Sequence, residues 1–174
     1  MTGQTETPDY KVLKTIDNVE IRSYPGLVLD STNMGTGGYS NSSGSGFRTI
    51  AGYIFGGNES SEKISMTSPV MVEMTDTVKM SFIMPSEYTL DNLPDPDDPD
   101  VYLHEAGAMT VAVIRYGGFS NDSRFEEHRQ MLEAVLKKNN ISTKSGYMFF
   151  GYNPPYELIN RRNEVAVQVD WPAK

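Results

Sequence analysis

Thioether side chains are the first candidates for chemistry in this sequence. Three methionines lie within the twelve residues KISMTSPVMVEM, from Lys63 to Met74, and a methionine sulfur can bind a soft metal ion or a haem iron. The apolar residues of this stretch largely share one parity: Ile64, Met66, Val70, Val72 and Met74. Such alternation predicts a half-buried strand, and methionine is a common filler of irregular gaps in cores. We therefore interpret the methionines as packing residues and not as metal ligands.

The remaining reactive side chains form no recognisable catalytic set. The chain has no cysteine, which excludes disulfides, zinc ribbons, iron–sulfur clusters and thiol nucleophiles. Its two histidines, His104 and His128, are too few for a structural zinc site, and His128 falls near the apolar stripe of a predicted helix, where packing is the commoner role. No nucleophile elbow, P-loop or dinucleotide fingerprint is present, and the 23 acidic residues show no spacing that marks an acid–base pair. We predict no catalytic residue and no metal ligand and expect a protein that is not an enzyme, although acid–base work by two of these carboxylates stays open at this point.

Composition narrows the class of protein. A chain of 174 residues, 38% of them apolar, can fill one hydrophobic core. Its formal charge of −8 lacks the basic footprint of a protein that binds nucleic acid or an anionic membrane. No apolar run approaches the roughly 20 residues of a transmembrane helix, and no signal peptide is evident. We expect a soluble protein and favour the cytoplasm, although a leader trimmed before Met1 is compatible with the sequence.

Hydrophobic periodicity predicts the elements of the first half. They are strands over Tyr10–Ile16 and Val19–Met34, a helix over Phe47–Phe55, and a hairpin of the methionine-bearing strand with Val78–Met84. The segment 35–46 is rich in glycine and serine and leads into the helix, which Gly56 and Gly57 end. The hairpin places four methionines in one apolar layer: Met66, Met74, Met80 and Met84. Met71 lies on the opposite face, and we expect it alone to face a ligand or the helix.

The chain then repeats this order. The segment VYLHEAGAMTVAVIRYGG, from Val101, matches the apolar positions of VEIRSYPGLVLDSTNMGTGG, from Val19, without a gap. The intervening loop, Asp91–Asp100, alternates proline with aspartate and predicts a solvated crossover. The second half continues with a helix and two strands, over Asp122–Asn139, Tyr147–Tyr152 and Val165–Val169.

Each half alone would leave a sheet face and a helix stripe bare, so the two halves should pair. We predict an α+β fold in which a duplicated unit forms a distorted, mostly antiparallel β-barrel of about eight strands with two helices. The predicted limits are a flexible N-terminus over 1–9 and a single domain over 10–174, with halves of about 10–90 and 100–174.

Aromatic residues concentrate around a rigid turn near the C-terminus. Five of them bracket Asn153-Pro154-Pro155: Tyr147, Phe149, Phe150, Tyr152 and Tyr156. Arg161 and Arg162 follow this turn. Either the two arginines pair with the acidic surface nearby, or the turn and the first helix form the rim of an apolar cleft, as ligand sites usually do.

Short strings along nearly the whole chain resemble the SOUL/haem-binding protein family. They are VEIRSYPG, GYIFGGN, KISMTSPV, FIMPSEY, RYGGFS and GYNPP…RRNEV, which begin at Val19, Gly52, Lys63, Phe82, Arg115 and Gly151. The resemblance implies a distorted antiparallel barrel built from a duplicated unit. It also implies non-catalytic binding of haem or another tetrapyrrole, held without a covalent bond in a groove along the first helix.

The resemblance assigns a set of groove residues. Phe47, Ile50, Ala51 and Ile54 lie on the helix side, and Tyr156, Leu158 and Ile159 lie opposite, on the loop between the last two strands. Basic side chains at the rim would bind the propionates, and Arg48 and Lys63 are the candidates. The sequence departs from the family at three positions: Ser23 replaces a histidine suggested to bind iron, and Gly44 and Glu157 fall where some members have basic residues.

Three other functions compete with haem binding. A similar duplicated domain in bacterial drug-sensing regulators binds other apolar effectors, and the missing histidine and basic residues favour that alternative. The groove could also accept a segment of a protein partner. An enzyme acting on a tetrapyrrole or a small ester is the fourth alternative, for which the sequence supplies no catalytic set.

Overall fold

The computed structural model describes residues 5–35, 39–153 and 157–172, with the backbone alone over 39–43. This part of the chain forms nine strands and two α-helices. In chain order they are β1 (Lys11–Ile16), β2 (Val19–Tyr24), β3 (Leu27–Asn33), α1 (Tyr39–Ile54), β4 (Val70–Met74), β5 (Val78–Ile83), β6 (Tyr102–Ala106), β7 (Met109–Tyr116), α2 (Asp122–Lys138), β8 (Met148–Gly151) and β9 (Asn163–Gln168).

All nine strands belong to one curled antiparallel sheet, with the order β1-β2-β7-β9-β8-β4-β5-β3-β6. In the duplicated unit, the neighbouring strands β2, β7, β9 and β8 correspond to β6, β3, β5 and β4 in that order. The sheet therefore contains the same arrangement of four strands twice, and the two sets meet where β8 pairs with β4. The first strand of each repeat therefore pairs with the second strand of the other. This arrangement confirms the predicted α+β antiparallel fold with two helices, whereas the predicted domain limits stay a prediction.

Two element boundaries differ from the sequence prediction. The run predicted as one strand over Val19–Met34 is two strands, β2 and β3, separated by Pro25-Gly26, because proline has no N–H to donate to a sheet ladder. The first helix begins at Tyr39 and not at Phe47, so it runs through glycines that disfavour helix. At Gly46 an added Cβ atom would overlap the side chain of Met34, so a larger residue there would require that side chain to move.

The sheet separates two apolar layers. Both helices pack on one face, which we call the helix-side layer, and its residues include Ile50 and Ile54 of α1 and Leu132 of α2. The four methionines predicted to share a layer lie here, with Met80 and Met84 buried and Met66 and Met74 partly buried against it. Met71 packs in the other layer. The expectation that Met71 faces a helix was therefore wrong, because the helices cover the opposite face.

Candidate ligand-binding cavity

A cavity of about 520 Å³ opens on the helix-side face of the sheet. Its walls come from α1, the β4–β5 hairpin, the loop between β7 and α2, and the segment between β8 and β9. The cavity lies over the junction of β4 and β8, where the two repeats meet. Its size falls in the range of about 300–1,000 Å³ that is usual for small-molecule sites.

The first wall is one face of α1. Gly44, Phe47 and Arg48 line the cavity, and their spacing of three and four residues puts them side by side on a helix. The ring of Phe47 packs edge to face against Phe82 of β5, with centroids 5.3 Å apart. Arg48 is exposed, and it forms no ion pair with any residue in the described part of the chain. Its guanidinium is therefore available to an anionic ligand.

The floor consists of apolar side chains from three neighbouring strands. Val72 of β4 lies opposite Met80 of β5 and opposite Phe149 of β8 in the sheet register, so the three side chains form a continuous row across the face. Met66 and Val70 extend this row. The methionines that face the cavity are thus Met66 and Met80, and not Met71 as the sequence suggested.

The segment between β8 and β9 carries the polar side of the mouth. Asn153 holds it at two points: its side-chain oxygen accepts a hydrogen bond from the Arg162 amide at 2.6 Å, and its amide nitrogen donates to the Glu157 carboxylate. Arg161 donates to the backbone carbonyl of Glu157 at 2.7 Å. Its guanidinium carbon lies 4.4 Å from the ring centroid of Phe119, within the usual distance of a cation–π contact.

The loop between β7 and α2 is fixed by side chains around it. Asn163 at the start of β9 donates to the carbonyl of Gly118 at 2.6 Å, and Arg124 donates to the carbonyl of Phe119 at 2.7 Å. The hydroxyl of Ser120 lies 2.6 Å from that of Tyr116. These bonds hold Phe119 and Ser120 at the cavity rim, although the Phe119 ring itself is half exposed.

A buried ion cluster in the other layer anchors β9, the strand that follows the cavity segment. Both oxygens of Glu164 accept hydrogen bonds from Arg22, at 2.9 and 2.7 Å, and Arg162 donates to the same carboxylate at 2.8 Å. Burial alone would raise the pKa of Glu164, but the hydrogen bonds and charges of the two arginines outweigh it and lower that pKa. Arg162 therefore pairs with a buried acid and not with the acidic surface considered in the sequence.

The predicted site residues divide between the cavity and other places. Phe47 and Arg48 line it. Ile50, Ala51 and Ile54 are buried in the helix-side layer and are not among the lining residues. Leu158 and Ile159 are 70% and 78% exposed, between the lining residues Glu157 and Arg161, and Tyr156 lies outside the described residues. Lys63 is exposed and does not line the cavity. Ligand binding by this set stays a prediction.

The predicted site set left out most of the lining, including Phe119, Phe149 and Asn163. Phe119 belongs to the RYGGFS string, a signal that was not assigned to the site, and Phe149 belongs to the aromatic turn that the sequence offered as the rim of a cleft. Asn163 carried none, because a polar residue at a strand start is usual on a protein surface.

Neither histidine lines the cavity. His104 Nε2 lies 2.8 Å from the hydroxyl of Ser31, a fully buried residue that no substrate reaches; burial and the nearby Lys79 lower the pKa of His104. His128 stacks on Tyr116 with centroids 3.9 Å apart, and its Nδ1 lies 2.7 Å from the carbonyl of Arg124. The prediction that His128 is a packed, hydrogen-bonded side chain is confirmed.

The described residues are 5–35, 39–153 and 157–172. They contain no group of three or more histidine, aspartate or glutamate side chains placed to hold a metal ion. None of the helices there is long and apolar enough to cross a membrane.

Comparison with known proteins gives a consistent result. A family model described as "SOUL heme-binding protein" matches residues 5–168. The human protein named heme-binding protein 2 is 31% identical, over 97% of this chain and 89% of its own length, and heme-binding protein 1 of Xenopus laevis is 28% identical, over 84% of this chain and 80% of its own. Among solved structures, the EcmrR C-terminal domain superposes with a TM-score of 0.68 at 10% identity, covering 87% of this chain and 96% of that one. That last likeness shows a shared fold alone.

Proposed function

Because the chain belongs to the SOUL haem-binding protein family, we propose that it binds haem or a related planar tetrapyrrole, without converting it, in the cavity beside α1. The observation that carries the proposal is the combination of an apolar floor with two guanidinium groups at the mouth. A tetrapyrrole has the same division between a flat apolar ring and a carboxylate edge.

The apolar surfaces suit the faces of a macrocycle. Val72, Met80 and Phe149 form a floor wider than one side chain, and Phe47 and Phe119 stand on opposite sides of it. Burial of apolar area stabilises a complex by roughly 25 cal/mol per Å². The aromatic rings add edge and face contacts with a flat ligand. Ring burial is therefore the main expected source of affinity.

The acidic edge of the ligand meets two cationic side chains at the mouth. Arg48 projects from α1, and Arg161 is held on the opposite side by the Glu157 carbonyl and the Phe119 ring. Hydrogen bonds between a guanidinium and a carboxylate are among the stronger ones in proteins. They would orient the ring with its acidic edge outward.

The side chains of the cavity suit an apolar macrocycle better than they suit coordination of its iron. The chain has only two histidines, and both lie away from the cavity, so imidazole coordination is not expected at this site. Binding without a covalent bond and without a histidine ligand predicts nearly equal affinity for iron-containing and metal-free rings. The same feature favours a second candidate function, binding of other apolar small molecules in this cavity.

A binding role also agrees with the chemistry of the lining. Its one carboxylate, Glu157, is hydrogen-bonded to Asn153, and the serines at the rim have no histidine within the cavity to activate them. These features support binding without catalysis. A cytoplasmic location, favoured by the sequence, stays a prediction.

Replacement of Phe47 by Ser should test the site directly. The change removes a cavity wall, and we expect the dissociation constant for hemin, measured by absorbance titration, to rise about tenfold or more, since a buried Phe side chain contributes about 1.5–3 kcal/mol. Phe55, 63% exposed just beyond the end of α1, provides the matched control, and Phe55→Ser should leave the constant unchanged. If the two changes had equal effects, the ligand would bind elsewhere. If the protein bound an apolar dye but not hemin, the second candidate function would be favoured.

A further inference from the structure

Positive and negative side chains are unequal in number at the cavity mouth, and among the described lining residues Glu157 is the one negative group. Arg48, Arg161 and Glu157 are the charged lining residues in the described part of the chain. The stretches 1–4, 36–43 and 154–156, whose side chains are not described, contain no Asp, Glu, Lys or Arg in the sequence. The mouth therefore carries one net positive charge, in a chain whose formal charge is −8.

Hydrogen bonds hold the carboxylate of Glu157 at the mouth. The Asn153 amide donates to it, and the same Asn153 side chain is tied to the Arg162 amide at 2.6 Å. Arg161, the cation on this segment, is bonded to the Glu157 backbone carbonyl. The negative and the positive group on this side therefore sit on one short, fixed piece of chain.

From this arrangement we infer that Glu157 sets the charge of the preferred ligand: the cavity selects planar apolar molecules with one carboxylate over otherwise identical molecules with two. One carboxylate can pair with a guanidinium at the mouth. A second carboxylate on the same edge would meet the negative charge of Glu157, which lines the same mouth. This inference rests on the proposed function, because it assumes that an acidic planar ligand occupies the cavity.

The test compares two probes that differ by one charge, deuteroporphyrin and its monomethyl ester. Their dissociation constants are measured by porphyrin fluorescence for the wild type and for Glu157→Gln, which keeps an oxygen for the Asn153 bond and removes the charge. We expect the wild type to favour the monoester, and the replacement to improve diacid binding relative to monoester binding about two- to fivefold, the size of an exposed charge interaction. Glu157→Lys should shift the ratio further in the same direction.

Controls separate this effect from net charge and from fold. Glu127, exposed on α2 and outside the cavity lining, gives the matched change Glu127→Gln, which should leave the ratio as in the wild type. The preference should also shrink at 1 M salt, where the Debye length is about 3 Å. If both probes bind and the ratio is the same in wild type and Glu157→Gln, the inference is wrong while the proposed function stands. If neither probe binds any variant, the proposed function fails and the inference fails with it.

Discussion

Replacement of Asp30 by Asn is expected to stabilise the protein at neutral pH. Asp30 lies on β3, on the face opposite Leu29, and is 0% exposed. Neither carboxyl oxygen makes a well-formed hydrogen bond to a described residue, although the backbone amides of Phe82 and of Asp30 itself are near enough to favour the charged form somewhat. Burial dominates and raises the pKa of Asp30 well above its ordinary value. The folded protein therefore keeps a proton that the unfolded chain loses.

The magnitude follows from proton linkage. Above the ordinary pKa of 3.8 and below the raised pKa, the folded state binds one proton more than the unfolded state. Stability then falls as pH rises, by at most about 1.4 kcal/mol per pH unit for one group. Between pH 4 and pH 6 the wild type should lose up to about 3 kcal/mol through Asp30. Asn carries no titratable proton, so this loss is absent from the variant.

Urea unfolding followed by circular dichroism from pH 4 to pH 8 measures the effect as a difference between the two proteins. Tyr53 is close to Asp30, but burial raises its pKa further above 10, so it does not titrate in this range. Asp76, exposed in the β4–β5 turn, provides the control Asp76→Asn. The free energy of unfolding of Asp30→Asn minus that of the wild type must increase as pH rises. A difference that stays constant from pH 4 to pH 8 would refute the reasoning.

Two further predictions concern the layers on either side of the sheet. Met80→Ala should destabilise the protein by about 2–5 kcal/mol in urea unfolding, because it leaves a void in the helix-side layer. The same change at Met131, 42% exposed on α2, should cost less than about 0.5 kcal/mol, and no loss at Met80 would mean that it is not packed in that layer. Glu164→Gln should cost about 3–5 kcal/mol by the same measurement, because it removes the buried carboxylate that pairs with both Arg22 and Arg162 and leaves Arg22 with the partly exposed Glu20 alone. Glu126→Gln on the α2 surface should have little effect, and equal small losses at the two sites would show that the buried pair is not stabilising.

Alternation and repetition made most of the fold predictable. The hairpin register follows from the apolar parity of its two strands, and the structure pairs Met74 with Val78 and Val72 with Met80 accordingly. The ungapped match between Val19 and Val101 predicted the second set of strands and helix. What the pattern could not show is which face the helices cover, because both faces of β4 carry apolar side chains. For that reason Met71, which does lie on the face opposite the other four methionines, was wrongly expected to face the ligand or the helix.

The start of α1 was unpredictable for a different reason. Glycine lowers the intrinsic stability of a helix by about 1 kcal/mol per residue relative to Ala, so a segment with Gly44 and Gly46 reads as a loop. Tertiary contact overrides that preference here, since Gly46 is buried against the side chain of Met34, which a Cβ atom at position 46 would displace. The extra turns bring Gly44 to the cavity wall.

The candidate site was predicted in outline only. The family resemblance indicated the first helix and the loop between the last strands, and both contribute to the cavity. A helical stripe, however, does not reveal which of its members face the sheet. Ile50 and Ile54 are buried in the core, while Phe47 and Arg48, on the neighbouring face, line the cavity. Residues such as Asn163 enter through contacts distant in sequence, which a single sequence does not display.

The duplicated architecture raises the question of why the cavity has a cationic side chain from α1 that forms no ion pair with a described residue, and none from α2. The two helices occupy corresponding places in the repeat, and each contains an arginine near its middle. On α2 that residue, Arg129, forms ion pairs with Glu126 at 2.7 Å and Glu133 at 2.6 Å, and its guanidinium also lies 5.2 Å from the ring centroid of Tyr147. On α1 the stretch 44–54 contains no acidic residue, so Arg48 has no partner on its own helix at the corresponding spacing. The sequence of the second repeat thus neutralises its arginine on the helix surface, while that of the first leaves its arginine at the mouth of an apolar cavity. Divergence of acidic residues between two copies of one unit is sufficient to leave a cationic side chain beside the cavity in one copy and to pair it on the helix surface in the other.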